Sequence, residues 1–308
     1  MLIHPTGKFS NSAVANTHIE VRPLAAAMGA EICGVDVERI TDMQFEEVRA
    51  ALFRHKMIFF RGQTLSHGGQ HTFSLRFGSF AEDAYTQGVP GFPEVQPLVR
   101  EAEAQRGGLV FGGGWHTDSP FLPAPPAISM LHGVDIPPYG GDTMWANSAL
   151  AYACLSDTMQ RWLATLKVHM SMARVLATAQ ARNAADGSVI GRLAATRGLT
   201  ELPEDVSRKV HGWRHPLVRT HPATGERSLY CDETYATGIE GLTPAEAEPI
   251  LKFLVAHITQ PAFTCRLRWE AGTLALWDNR ICVHQAFDDY DGFRRELYRT
   301  TVAGETPR

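Results

Sequence analysis

Residues 263–287 read FTCRLRWEAGTLALWDNRICVHQAF and, seven residues on, 294–304 read RRELYRTTVAG. Together they return the chain to strands at its C-terminal end, and it is this return that decides the fold. The opposite end is also β: IEVRPL alternates like a short strand after residue 18, and MIFF at 57–60 reads as a buried strand. Between them lie helices with recognisable starts. Thr41 caps DMQFEEVRAALFRH, with Phe45, Val48, Leu52 and Phe53 at helical spacing, and Ser66 opens a second helix that Gly78 suits as a stop. Asn147–Ser148 turns into a helix; Thr243, Pro244 and Glu246 form another helix start before EPILKFLVAHI. HPLVRTHPATGERSLYCDE reads as a hairpin around PATGE. Strands at both ends and through the middle predict one mostly β domain over residues 1–308, a β-sandwich or jelly-roll core wrapped by helices.

The remaining segments are irregular. Residues 1–17 form a polar arm, 79–114 are rich in Gly and Pro, and 173–212 read as a helical insertion or mobile lid that, with the Gly108–Gly114 loop, would cover a substrate. The apolar helix around Ile250–Ile258 could serve an interface, but packing on its own β core is the reading preferred.

Composition excludes several classes. The 308 residues carry 29 Lys and Arg against 33 Asp and Glu, a net charge of −4, so no global basic field draws nucleic acid or an anionic membrane. No stretch approaches the ~18 uninterrupted apolar residues of a membrane span, and the N-terminus lacks the apolar core of a signal peptide. Five cysteines without CxxC spacing speak against a disulfide framework or structural zinc, and fit reduced thiols in a cytoplasmic protein.

The sharpest chemical feature is Trp115-His116-Thr117-Asp118. On a strand, His116 and Asp118 share a face, where an imidazole and a carboxylate can take adjacent positions on one metal. His18-Ile19-Glu20 matches the same pattern, but stands beside a polar terminus, whereas His116 follows a glycine-rich loop. His284 is the candidate third ligand. Beyond it stand Arg295 and Arg299, four apart on one strand face and about 13 Å from each other. Guanidiniums pointing into a β core need anionic partners, and a carboxylate ligand meets that need. Arg280 and Arg294, facing differently, are assigned to the surface.

The order WHTDSPF (115–121), PPYGGDTMWAN (137–147), HPLVRTHPATGE (215–226) and LALWDNRICVHQAFDDYDGFRRELYRTTVAGETP (274–307) resembles the taurine/2-oxoglutarate dioxygenase family, which includes the taurine and 2,4-dichlorophenoxyacetate dioxygenases. The likeness runs from about residue 19 to 307. It implies a double-stranded β-helix, Fe(II) held by His116, Asp118 and His284, and 2-oxoglutarate and O2 as cosubstrates. It further implies that Thr143 and Arg295 hold the distal carboxylate of 2-oxoglutarate, and that Arg299 meets the substrate. The expected reaction hydroxylates a small or medium organic anion, a carboxylate, sulfonate or sulfate ester, with release of succinate and CO2. Asp118 implies a hydroxylase rather than one of the related halogenases, which lose this carboxylate. Relatives commonly form dimers or tetramers.

Two positions depart from the taurine enzyme. Asp83 falls where that enzyme has a histidine after the Phe-Gly turn, and Gly112 replaces an asparagine. Asp83 would repel an anion or select an amine if it lined the pocket; otherwise it is a solvated loop residue. Tyr85, Phe121 and the glycine-rich loop suggest room for a substrate larger than taurine. The alternatives are a zinc-dependent hydrolase on the same triad, which leaves Thr143 and Arg295 without a purpose, and a non-catalytic ligand-binding jelly roll.

Overall fold

The structure is a computed structural model that describes residues 9–82, 88–103, 112–181 and 204–308. Its N-terminal elements are β1 (Glu20–Pro23), β2 (Ala30–Cys33), α1 (Asp42–His55), β3 (Met57–Phe60), α2 (His67–Leu75) and β4 (Gln96–Arg100). The middle holds β5 (Ile128–Asp135), β6 (Thr143–Asn147), α3 (Ser148–Ala153), α4 (Asp157–Leu163), β7 (Lys167–Met170) and α5 (Ala173–Ala181). The remainder is α6 (Glu204–His211), β8 (Trp213–Pro216), β9 (Val218–Thr220), β10 (Arg227–Leu229), β11 (Ala236–Ile239), α7 (Pro244–Ile258), β12 (Thr264–Leu267), β13 (Leu274–Asp278), β14 (Cys282–Ala286) and β15 (Arg295–Val302).

The expected helix starts are present. Thr41 and Gln44 form a capping box on α1, Ser66 caps α2, Asn147 accepts the first amides of α3, and the Glu246 carboxylate accepts from the Thr243 amide and hydroxyl ahead of Pro244 on α7. The hairpin is β9 against β10. One segment differs from its reading: 79–114 was expected to be irregular throughout, yet Gln96–Arg100 is a strand on the edge of the main sheet. Its backbone finds partners on β15, and the preceding Gly/Pro run only delivers it there.

Seven strands form the main sheet in the order β1-β2-β3-β13-β5-β15-β4, so strands from both chain ends hydrogen-bond side by side. A smaller sheet, β12-β6-β14, faces it. Period-two alternation divides the large sheet's side chains between two clusters. Met57, Phe59, Leu131, Ala275, Trp277 and Leu297 point inward and pack with Trp145, Cys265, Leu267 and Cys282 of the small sheet. Ile58, Phe60, Ile128, Met130, Leu274 and Leu276 point outward, under Phe45, Val48 and Leu52 of α1 and Phe73 of α2. This is the sandwich of a jelly roll. Helix α7 lays Ala247, Leu251, Leu254 and Ile258 on a third cluster with β7 and β11, the use preferred for it from sequence.

The alternation has one consequence for chemistry. On β15, Arg295 and Arg299 share the parity of Leu297, so both enter the space between the sheets, where they are 9% and 6% exposed.

Candidate metal and anion site

His116 and His284 are brought together by backbone pairing. The His116 amide donates to the His284 carbonyl at 2.9 Å and the His284 amide returns the bond at 2.7 Å, an isolated antiparallel bridge that extends the small sheet by one position. The chain then leaves the bridge, and Ser119 adopts φ +44°, a left-handed conformation uncommon outside glycine. The strand expected through 116–118 is therefore a single bridge followed by a turn. Even so, one donor atom from each of His116, Asp118 and His284 lies within 4.8 Å of the others, and all three residues are buried.

His116 and Asp118 are oriented by hydrogen bonds, whereas the buried His284 Nδ1 has no partner. The His116 Nδ1 lies 2.8 Å from the Gly114 carbonyl, which assigns the ring proton to Nδ1 and leaves the Nε2 lone pair for a cation. The two Nε2 atoms stand 4.0 and 3.9 Å from Asp118 Oδ1, too far for hydrogen bonds. Burial lowers both imidazoles, His284 to about 3, so both are neutral at pH 7. Burial alone would raise the Asp118 carboxyl, but its neighbours, among them the Arg299 guanidinium and the Ser129 hydroxyl, hold it below the ordinary carboxylate value. Two neutral imidazoles and a carboxylate converging in a buried site form a donor set that fits Fe(II). Gly112, at φ +80°, lies close to this edge: an added Cβ would stand 3.2 Å from His116 Cε1 and 3.7 Å from Nε2.

Arg295 is a different kind of group. Its Nη2 donates to the Gly141 carbonyl at 2.9 Å, its Nε has no partner, and the Tyr290 and Trp269 rings flank it at 5.6 and 5.8 Å. Among the described residues no carboxylate lies within ion-pair distance, and burial brings the guanidinium below its ordinary pKa. The Trp269 indole also donates to Thr143 Oγ1 at 2.9 Å, so Thr143 and Arg295 meet on one wall. A buried cation with an orphaned donor, beside a hydroxyl still able to donate, has the chemistry to receive a carboxylate. Arg299 lies nearer the triad, its Nη1 3.6 Å from Asp118 Oδ1 and its Nε donating to Gln96 at 3.0 Å.

Several expected positions fall elsewhere. Asp83 and Tyr85 lie outside the described residues, as do 104–111 and the stretch 182–203 of the expected lid, whose flanks are α5 and α6. Phe121 is 1% exposed, edge-on to Tyr235 within the third cluster. Arg280 requires a correction: assigned to the surface, it is buried and bonds Asp278 through Nε and Nη2 at 2.8 and 2.6 Å. The turn after β13 folds Arg280 back on the carboxylate two residues before it, which strand parity could not reveal. Arg294 does lie at the surface, among Glu101, Asp135 and Glu296. Sequence reading also passed over Ser129 and Asn279, whose only signal was their position beside a candidate strand.

A jelly roll holding a buried His-Asp-His set beside a buried arginine that has no carboxylate partner among the described residues defines a non-haem metal enzyme of the 2-oxo-acid-dependent class. The chain belongs to the taurine catabolism dioxygenase TauD, TfdA family, whose model matches residues 20–301. It is thereby an oxidoreductase that uses Fe(II), 2-oxoglutarate and O2 on a small-molecule substrate. It is 35% identical to an alpha-ketoglutarate-dependent sulfate ester dioxygenase of Pseudomonas putida, over 97% of this chain and 95% of that protein. It is 31% identical to an alkylsulfatase of Acinetobacter baylyi, over 93% of this chain and 86% of that protein. A crystal structure of a taurine dioxygenase from Burkholderia xenovorans superposes with a TM-score of 0.76 at 37% identity, covering 94% of this chain and 93% of the other. No described helix is long and apolar enough to cross a membrane.

Proposed function

We propose that this dioxygenase oxidises an organic sulfate ester at the carbon bearing the ester oxygen, with His116, Asp118 and His284 as iron ligands. The observation that carries the anionic substrate is Arg299, a buried cation on the inner face of β15 and 3.6 Å from the Asp118 carboxylate. The identity to a sulfate ester dioxygenase supports the choice among anions.

Bound iron, with the 2-oxo acid and O2, supplies the oxidising equivalent that replaces a substrate C–H by C–OH. The chain's own residues bind and orient. Thr143 and Arg295 would hold the distal carboxylate of 2-oxoglutarate, directing its 2-oxo end toward the triad. Arg299 would hold the anionic head of the substrate so that the adjacent carbon lies at the same point. Gly112 lets the loop backbone approach the His116 ring, where an added Cβ would stand 3.2 Å from Cε1. The balance is R–CH2–OSO3⁻ + 2-oxoglutarate + O2 → R–CHO + HSO4⁻ + succinate + CO2. The hydroxylated carbon carries sulfate as a leaving group, so its C–O bond to sulfate breaks as the hydroxyl becomes the aldehyde carbonyl and gives up its proton.

The same reading takes the chain as one catalytic domain, forming a dimer or tetramer in the cytoplasm and engaging neither nucleic acid nor membrane. Five free thiols, the net charge of −4 and exposed Phe253 on α7 support it. The test is incubation with Fe(II), 2-oxoglutarate and O2 against alkyl sulfates, sulfonates and phenoxycarboxylates, reading succinate together with sulfate, sulfite or phenol. Succinate and sulfate should appear in equal amounts with alkyl sulfates; succinate formed with sulfonates or phenoxycarboxylates but not with alkyl sulfates would overturn the proposal.

A further inference from the structure

The two oxygens of Asp118 have unlike surroundings. Oδ1 faces the His116 and His284 Nε2 atoms and Arg299. Oδ2 instead accepts from the Ser129 hydroxyl at 2.5 Å. Ser129 Oγ in turn accepts from Asn279 Nδ2 at 2.8 Å, and Asn279 Oδ1 accepts from the Trp277 indole at 2.9 Å. All of these residues are buried, Ser129 completely. Because Asn279 donates to Ser129, and its own acceptor is occupied by Trp277, the amide cannot flip without losing both bonds. The Ser129 proton is thereby committed to Asp118. Trp277 also lies against the His284 ring, centroids 4.8 Å apart. The chain thus runs from the packing surface of one imidazole to the far oxygen of the carboxylate.

We propose that Ser129 is a positioning residue that restricts Asp118 to one ligating oxygen, Oδ1, with Asn279 and Trp277 setting the direction of its hydroxyl. The proposal rests on the reading of His116, Asp118 and His284 as the metal ligands. Fe(II) held by one atom from each of these residues would keep its remaining coordination capacity, three positions, for the 2-oxo acid and O2. A carboxylate free to turn could offer both oxygens and take one of those three. Holding Oδ2 in a charge-assisted hydrogen bond keeps the count at three.

The variants are Ser129→Ala, which frees Oδ2, and Asn279→Ala, which leaves the Ser129 hydroxyl undirected; Ser129→Thr keeps the hydroxyl on a strand that tolerates β-branching. Each is loaded anaerobically with Fe(II) and titrated with 2-oxoglutarate, following the visible charge-transfer band, with a thermal melt of the metal-free protein alongside. Ser129→Ala should melt within a few degrees of wild type, shift the band and weaken 2-oxoglutarate about tenfold or more. Asn279→Ala should move the same way by less, and Ser129→Thr should restore the wild-type band. In turnover kcat should fall while KM for the prime substrate holds. A wild-type band and 2-oxoglutarate affinity in Ser129→Ala, or in Asn279→Ala should the first variant not fold, would overturn the positioning role alone. Absence of the band in wild-type protein would overturn the ligand assignment, and the proposal with it.

Discussion

Replacing Arg295 with Gln separates a residue kept for folding from one kept for binding. The guanidinium is 9% exposed, donates one hydrogen bond to Gly141 and leaves Nε without a partner, with no carboxylate in ion-pair distance among the described residues. In the metal-free, ligand-free protein the cost of burying its charge is offset by the Gly141 bond, Tyr290 and the Trp269 ring rather than by an ion pair, and glutamine can keep the Gly141 bond. The expected change in stability is under about 1 kcal/mol, of either sign. Against a carboxylate the side chain offers two charge-assisted hydrogen bonds, each worth about 1.5–3 kcal/mol. Glutamine recovers at most one neutral bond, a net loss of about 3–4 kcal/mol, which weakens 2-oxoglutarate by roughly 150- to 1000-fold. Calorimetric melts of Mn(II)-loaded protein with and without 2-oxoglutarate read both quantities at once. At a concentration 100 times the wild-type Kd, wild type should gain about 2.7 kcal/mol, roughly a 5 °C rise, and the variant under about 0.5 kcal/mol. A variant that melts well below wild type without ligand, yet keeps the full shift with it, would refute the reasoning and make Arg295 structural.

Other expectations concern stability. Asp278 bridges Arg280 and His221 in full burial; burial opposes its charge, but Arg280 and His221 hold the carboxyl far below its ordinary value. Asp278→Asn should cost about 3 kcal/mol or more at pH 7. Because the folded pKa is depressed, that difference is present above the unfolded value near 4 and should shrink as denaturation is followed to lower pH. His55 and His215 are buried and lowered to about 4 from an ordinary 6.5. As pH falls from 6.5 to 4 the unfolded chain takes protons that the folded chain refuses, so stability should drop by about 3 kcal/mol per histidine; denaturant melts that stay level over that window would contradict the burial argument.

Much of the fold was legible because its determinants are local. The capping residues Thr41, Ser66 and Asn147 satisfy amides within their own first turn, Glu246 satisfies that of Thr243, and the inward parity of Arg295 and Arg299 follows from two-residue periodicity on β15. Strand β4 was not legible, since an edge strand needs only a partner with an open side and carries little pattern of its own. Arg280 went wrong for a related reason. Its burial depends on a turn conformation after β13 and on an ion pair to Asp278 that no spacing rule predicts.

By itself the sequence singled out the candidate residues: a histidine and a carboxylate two apart, a distant histidine, and two arginines four apart on a strand. Hydrogen-bonding and ligating capacity belongs to residue type, and parity to a strand's two-fold period, so neither waits for tertiary structure. Only the tertiary structure decided how those groups are held. The His116–His284 bridge, the Arg295–Gly141 bond and the Asn279–Ser129 bond behind Asp118 join residues more than a hundred positions apart. Such contacts arise where two sheets close over one another, and a pattern read along the chain does not contain the register of that closure.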